Sequence, residues 1–172
     1  MLRITMTGQH PSFTLHGPAE ARVPLLLDSP HSGFDFPADF GAAVSEFDLR
    51  DGEDCFVDQL WLPATERGVS LIAASVPRTY IDYNRHAGDI DLALVEGGAW
   101  PHEYAPSGKG RLGKALIWRT LDDGRSTNGC WASTRSSTAS IAITGRITTR
   151  WLGASRRHIS ASARAGTSTA IR

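Results

Sequence analysis

An alternating α/β fold with a parallel sheet is what this sequence predicts, on three observations. Pro24 to Leu27 is a short apolar run that stops at Asp28-Ser29-Pro30, as a buried strand ending in a loop does. Val69 to Val76 is a second such run, closed by Pro77. Between them, Val57, Leu60 and Trp61 fall at helical spacing, Ala64 extends the stripe, and Gly68 follows as a stop. A strand, a helix and a second strand make a βαβ unit, whose two strands lie parallel.

Taken in order, Pro24–Leu27 is the first strand and Phe47 to Arg67 reads as one helical stretch. Val69–Val76 is the second strand, and Thr79 to Tyr83 could continue as extended chain. Leu116 to Trp118 is a third apolar segment. No internal repeat is visible.

Charge divides the chain near Arg125. The whole chain of 172 residues balances at 18 basic and 18 acidic. Residues 1–125, however, hold all 18 acids and all nine prolines but only 11 of the bases, whereas 126–172 hold seven arginines and no acid. In that tail, 32 of 47 residues are Ser, Thr, Ala or Arg. So few large apolar side chains cannot offset the entropy of ordering the backbone, so 126–172 is expected to be disordered. Such a tail would leave apolar faces at Trp61, Leu71 and Ile117 uncovered.

Composition excludes several classes. The two cysteines, Cys55 and Cys130, make neither a disulfide framework nor a zinc ribbon. No apolar run approaches the roughly 20 residues of a membrane span. The N-terminus lacks the basic start and long apolar stretch of a signal peptide, so a soluble cytoplasmic protein is expected. Seven arginines give the tail some attraction for acidic partners. Aromatics are confined there to Trp131 and Trp151, however, and no nucleic-acid motif is present.

Three local features could carry chemistry. Ser29-Pro30-His31-Ser32-Gly33 follows the first strand, where ligands of open α/β sheets bind, so His31 is placed as a metal ligand or acid/base group. Its alternative is a loop histidine bonded to backbone. Arg50-Asp51-Gly52-Glu53-Asp54 puts four charges in five residues. Asp51 and Glu53 suit a solvated helix start, whereas Asp54 opens the apolar stripe and could point inward as a metal-binding carboxylate. Pro77 to His86 follows the second strand and offers Arg78 and Arg85 as planar donor forks for carboxylates. Asp82 buttressing Arg78 as a structural pair is the alternative there.

Together these features resemble the N-formylglutamate amidohydrolases. The motifs run in order: SPHSG at Ser29–Gly33, ED-x-x-VD-x-L at Glu53–Leu60, PR-x-x-x-D-x-NR at Pro77–Arg85, and IWR at Ile117–Arg119. The resemblance spans about residues 20–125. It implies a three-layer α/β/α sandwich of the zinc-carboxypeptidase (phosphorylase/hydrolase-like) kind, incomplete at the C-terminus. It also implies hydrolysis of N-formyl-L-glutamate to formate and glutamate in histidine breakdown. A zinc or other divalent ion on His31 and Asp54 is implied as well, with Arg78, Asn84 and Arg85 on the small-molecule substrate. Glu53 or Asp58 is the next carboxylate should Asp54 fail.

The family continues past IWR with a Pro-Tyr-His motif and a second histidine motif, which 126–172 do not show. Read with each codon built from the last base of one and the first two of the next, Gly145–Thr148 can become Arg-Pro-Tyr-His. In the same frame Gly166–Ile171 can become Trp-His-Ile-Asn-Cys-His. The tail therefore reads as a frameshifted translation, with frame lost near Arg125 to Asn128. The third metal ligand and the catalytic acid/base are expected to be lost with it, and His158 offers no replacement. The rival class is a non-catalytic carboxylate-binding α/β module whose basic tail contacts an acidic partner or nucleic acid.

Overall fold

The computed structural model describes residues 13–18, 22–38, 40–95, 100 and 102–127, and the backbone of 169–171. Cys130, Trp131, Trp151, His158 and the out-of-frame motifs lie outside the described side chains.

Among the described residues, four strands form one sheet in the order β1-β3-β2-β4. β1 is Phe13–His16, β2 Leu25–Ser29, β3 Ser70–Ala74 and β4 Thr169–Ile171. β2 and β3 run parallel, with Leu26 opposite Ser70 and Ser29 opposite Ala73. The two apolar runs are thus neighbouring parallel strands, as the βαβ pattern requires. β1 lies antiparallel on the far side of β3, and β4 lies parallel to β2. Within the segment expected to be disordered, Thr169–Ile171 thus carry strand backbone, and Thr127 is buried.

β3 is buried along its whole length because both faces of the sheet are covered. On one face Ile72 and Ala74 pack with Leu26, Phe40, Leu49, Tyr80, Ile81, Tyr83 and Leu116. On the other, Leu71 packs with Leu27 and Val69 against Ala64, Val23 and Leu25. A small third cluster joins Ile90, Val95 and Ile117 to Leu94 and Trp100. Leu71 and Ile117 are therefore fully covered, contrary to expectation. Among the described side chains, the neighbours that pack on them belong to residues 23–100.

The expected helix over 47–67 is broken. α1 is Glu46–Leu49, capped by Ser45, whose Oγ accepts from the Asp48 N–H. A 3₁₀ turn, Arg50–Gly52, follows, and helix resumes only as α2, Val57–Trp61, and a second 3₁₀ turn, Leu62–Arg67. Glu53 is extended and Phe56, at φ 63°, sits in the left-handed region, so the chain leaves helical geometry between Gly52 and Val57. The stripe also turns outward: Leu60 is 75% and Trp61 44% exposed. Helical spacing held for α2, but it could not tell which way so short a helix faces. Thr79–Tyr83, expected to be extended, forms a tight buried turn whose Tyr80 N–H donates to the Pro77 carbonyl. A third short helix, α3, is Gly108–Arg111.

Candidate active site

The loop after β2 carries His31 inward, where it is buried. Gly33 lets that loop lie flat on the end of β3. A Cβ there would sit 2.2 Å from the Val76 carbonyl oxygen, so no side chain fits. Asp35 N–H donates to the Ser75 carbonyl at 2.8 Å and fastens the same contact.

The break in the helical stretch supplies the second group. Asp54 N–H donates to the His31 carbonyl at 3.0 Å, and Ser32 Oγ donates to the Asp54 carbonyl at 3.0 Å. Ser29 Oγ and Ser32 Oγ share a hydrogen bond of 2.6 Å. These bonds clip two loops together and bring Asp54 Oδ2 to 3.1 Å from His31 Nδ1. The Asp54 side chain remains 51% exposed. His31 and Asp54 thus meet as expected, but Asp54 reaches the site from a loop rather than from a helix face.

Asp82 arrives from the turn after β3 and is wholly buried. Its backbone N–H donates to the Leu116 carbonyl at 2.8 Å, which ties it to the Ile117–Arg119 segment. Oδ1 accepts from His31 Nε2 at 2.9 Å and from the Asn84 N–H at 2.9 Å. Oδ2 accepts from Arg78 Nη2 at 2.9 Å and from the Trp118 indole N–H at 3.4 Å, and the Arg85 Nε lies 3.6 Å away. Arg78 also reaches 3.8 Å from Asp54 Oδ1 and stacks over the Trp118 ring at 4.9 Å. Two carboxylates and two guanidiniums thereby surround one imidazole.

Burial alone would raise the Asp82 pKa. The hydrogen bond from His31 and the charges of His31 and Arg78 outweigh it and hold the carboxyl at about 2. A depressed carboxylate stabilises the fold above its unfolded pKa and loses that contribution as pH falls through the folded value. The metal-free protein is therefore expected to lose about 2 kcal/mol of stability from this group as pH falls from about 4 through 2. Urea unfolding across that range checks it, and Asp82→Asn should flatten the dependence.

The donor set suits a zinc-type cation in part. An imidazole nitrogen and a carboxylate oxygen are first-choice zinc ligands, and Asp54 is open to solvent. Metal-bound histidines usually give their other ring N–H to a carboxylate, which is what Asp82 receives from Nε2. Among the described residues no third histidine, cysteine or carboxylate joins the pair. Asp82 cannot, because it occupies the opposite ring nitrogen.

Arg78 and Arg85 both turn to Asp82, so the structural pairing left open in the sequence is present. Each guanidinium carries five N–H donors, and Asp82 engages only part of each. Asn84 is exposed, with its backbone on Asp82. Glu53 pairs with Arg50 at 2.7 Å. Sequence reasoning saw Asp82 only as a partner for Arg78. Its bond to His31 crosses 51 residues, and the D-x-NR spacing after β3 was the one available signal.

Residues 23–151 match the family described as N-formylglutamate amidohydrolase. Among solved structures, the chain is similar to an N-formylglutamate amidohydrolase from Ralstonia eutropha JMP134, with 39% identity and a TM-score of 0.80. That likeness covers 92% of this chain and 56% of the other, so this chain spans little more than half the length of that protein. No curated protein matches the chain.

Proposed function

The chain belongs to the N-formylglutamate amidohydrolase family, and on that premise we propose that it descends from an enzyme cleaving N-formyl-L-glutamate to formate and L-glutamate. The observation that carries this reading is His31 held between Asp54 and Asp82, with Arg78 beside the open carboxylate. His31 Nδ1 and the Asp54 carboxylate would hold a zinc or other divalent ion. When bound, the ion supplies Lewis-acid polarisation of the formyl carbonyl and activation of water.

The remaining work falls to the protein. Arg78 and Arg85, with Asn84, would bind the glutamate carboxylates, for which planar guanidinium forks are better suited than lysine. Trp118 holds the Arg78 plane in place from below. The three-layer sandwich, a place in histidine breakdown and a cytoplasmic location belong to the same proposal. Among the described residues, no helix is long and apolar enough to cross a membrane.

The acid-free, arginine-rich composition of 126–172 is the support for reading that segment as out of frame, against a family match that runs on to residue 151. We expect formate release from N-formyl-L-glutamate by the chain as given to fall at least about 10²-fold below that of a chain with its frame restored after Arg125. Loss of a proton donor alone costs that much. An inactive restored chain would overturn the deformylase reading and favour the non-catalytic carboxylate-binding module. Equal rates, with stoichiometric zinc in both, would overturn the frameshift reading instead.

A further inference from the structure

We propose that Lys114 is a third cation of this site and sets its preference for a dicarboxylate. It binds the side-chain carboxylate of the substrate, while Arg78 takes the carboxylate next to the formyl amide. The inference rests on the N-formylglutamate reading and adds a residue to it.

The backbone places Lys114 firmly. Gly113, at φ 76°, turns the chain just before it. The Lys114 N–H donates to the Lys109 carbonyl at 3.0 Å, and the Leu116 N–H donates to the carbonyl of buried Asp89 at 2.7 Å. The Asp89 carboxylate in turn accepts from the Ser107 N–H at 2.8 Å, so the loop is held from both sides. An antiparallel bridge then pairs Lys114 with Trp118, and the side chains of such a pair are neighbours. Lys114 Nζ lies 5.0 Å from the centre of the Trp118 ring, and the Arg78 guanidinium carbon lies 4.9 Å from it. The two cations are therefore within about 10 Å of each other, roughly the screening length in dilute salt.

The cations differ in what holds them. Arg78 stands 3.8 Å from Asp54, at the end of the site where the formyl group would react, and both Arg78 and Arg85 are turned to buried Asp82. The Lys114 side chain is only 12% exposed because its stem lies along the indole, yet its ion-pair partner, Asp122, is 70% exposed. So exposed an acid is a weak counter-ion, which a better-placed anion can replace. Burial of the stem, with the charges of Lys109 and Arg78, pulls the Lys114 pKa below its ordinary value and outweighs Asp51. An incoming carboxylate relieves that repulsion. Glutamate carries its carboxylates on either side of three carbons. With a charge-assisted bond of about 2.7–2.9 Å at each end, it spans a gap of this order.

The test is isothermal titration of the full metal-free chain with N-formyl-L-glutamate and with N-formyl-L-glutamine, whose side chain has the same length and no charge. The wild type is expected to prefer the acid by about 10-fold or more, the worth of one charge-assisted hydrogen bond. Lys114→Met keeps a stem on the indole and removes the ammonium, so that preference should vanish while the affinity for the amide stays unchanged. Asp122→Asn separates binding from mere structure. Were the two residues only a surface pair, both variants would lose the same contact and act alike. With Lys114 on the substrate, removing its competitor leaves the affinity for the acid equal or tighter. A preference that survives Lys114→Met, or an Asp122→Asn as damaging as Lys114→Met, overturns the proposal, as does a wild type that binds neither ligand. Should Lys114→Met fail to fold, Asp122→Asn decides: weaker binding of the acid overturns the proposal, and equal or tighter binding supports it. Formate release by the frame-restored chain reads the deformylase activity separately, so either idea can fail alone.

Discussion

Asp82→Ala is expected to destabilise the protein by about 3–5 kcal/mol, the range for removing one partner of a buried ion pair. The cost comes from what is left behind. Arg78 and Arg85 are largely shielded from water, and both rely on this carboxylate as their shared counter-ion. Each guanidinium already has a buried Nε without a hydrogen-bond partner. Deleting the carboxylate adds further unpaired donors on Arg78, His31 and Trp118, in a site where desolvation is already complete for Asp82. Asp54 compensates little, since it lies 3.8 Å from Arg78 and is half in solvent. Urea denaturation should show a lower midpoint with an unchanged slope. A loss below about 1 kcal/mol would mean that the arginines find other partners once Asp82 is gone.

Ile72→Ala should cost about 2–5 kcal/mol, as deletions of this size in packed cores do. Ile72 is 1% exposed, in the strand hydrogen-bonded on both sides, opposite Leu15 of β1 and Asp28 of β2. Backbone paired on both edges cannot close in on the vacated volume, so the cavity persists and the cost lies toward the upper end. Ala73, on the next register position, offers a contrast. Ala73→Gly removes one methyl group and should cost less than half as much, even with the strand penalty of glycine. Equal midpoints for Ile72→Ala and the wild type would show that the core over β3 is loosely packed.

Parts of this fold are legible in residue order alone. Leu25–Leu27 and Ser70–Ala74 read as strands because both faces of the sheet are covered, which demands an unbroken apolar run. The loop chemistry is equally local. Pro30 and Gly33 end β2 and let the chain turn, and His31 stands between them at the carboxyl end of a strand. Asp54 lies beside His31 as its place in the sequence suggests, but it arrives there by a different route. Helical spacing suggests a carboxylate on an inward helix face, whereas an extended Glu53 ends the first helical segment and the loop up to Phe56 delivers the group.

What the sequence determined by itself is therefore the set of short-range facts: which segments are apolar enough for strands, where they must stop, and which side chains stand at those stops. Tertiary structure alone decided that Leu60 and Trp61 face outward, that Leu71 and Ile117 are covered, and that Asp82 joins Asp54 in holding His31. The physical reason is the reach of each interaction. Strand and turn preferences act over a few residues and leave a pattern in the order of the chain. A buried carboxylate chooses its donors only after collapse has brought His31, Arg78 and Trp118 within 3.4 Å of it, and desolvation then makes each unmade bond costly.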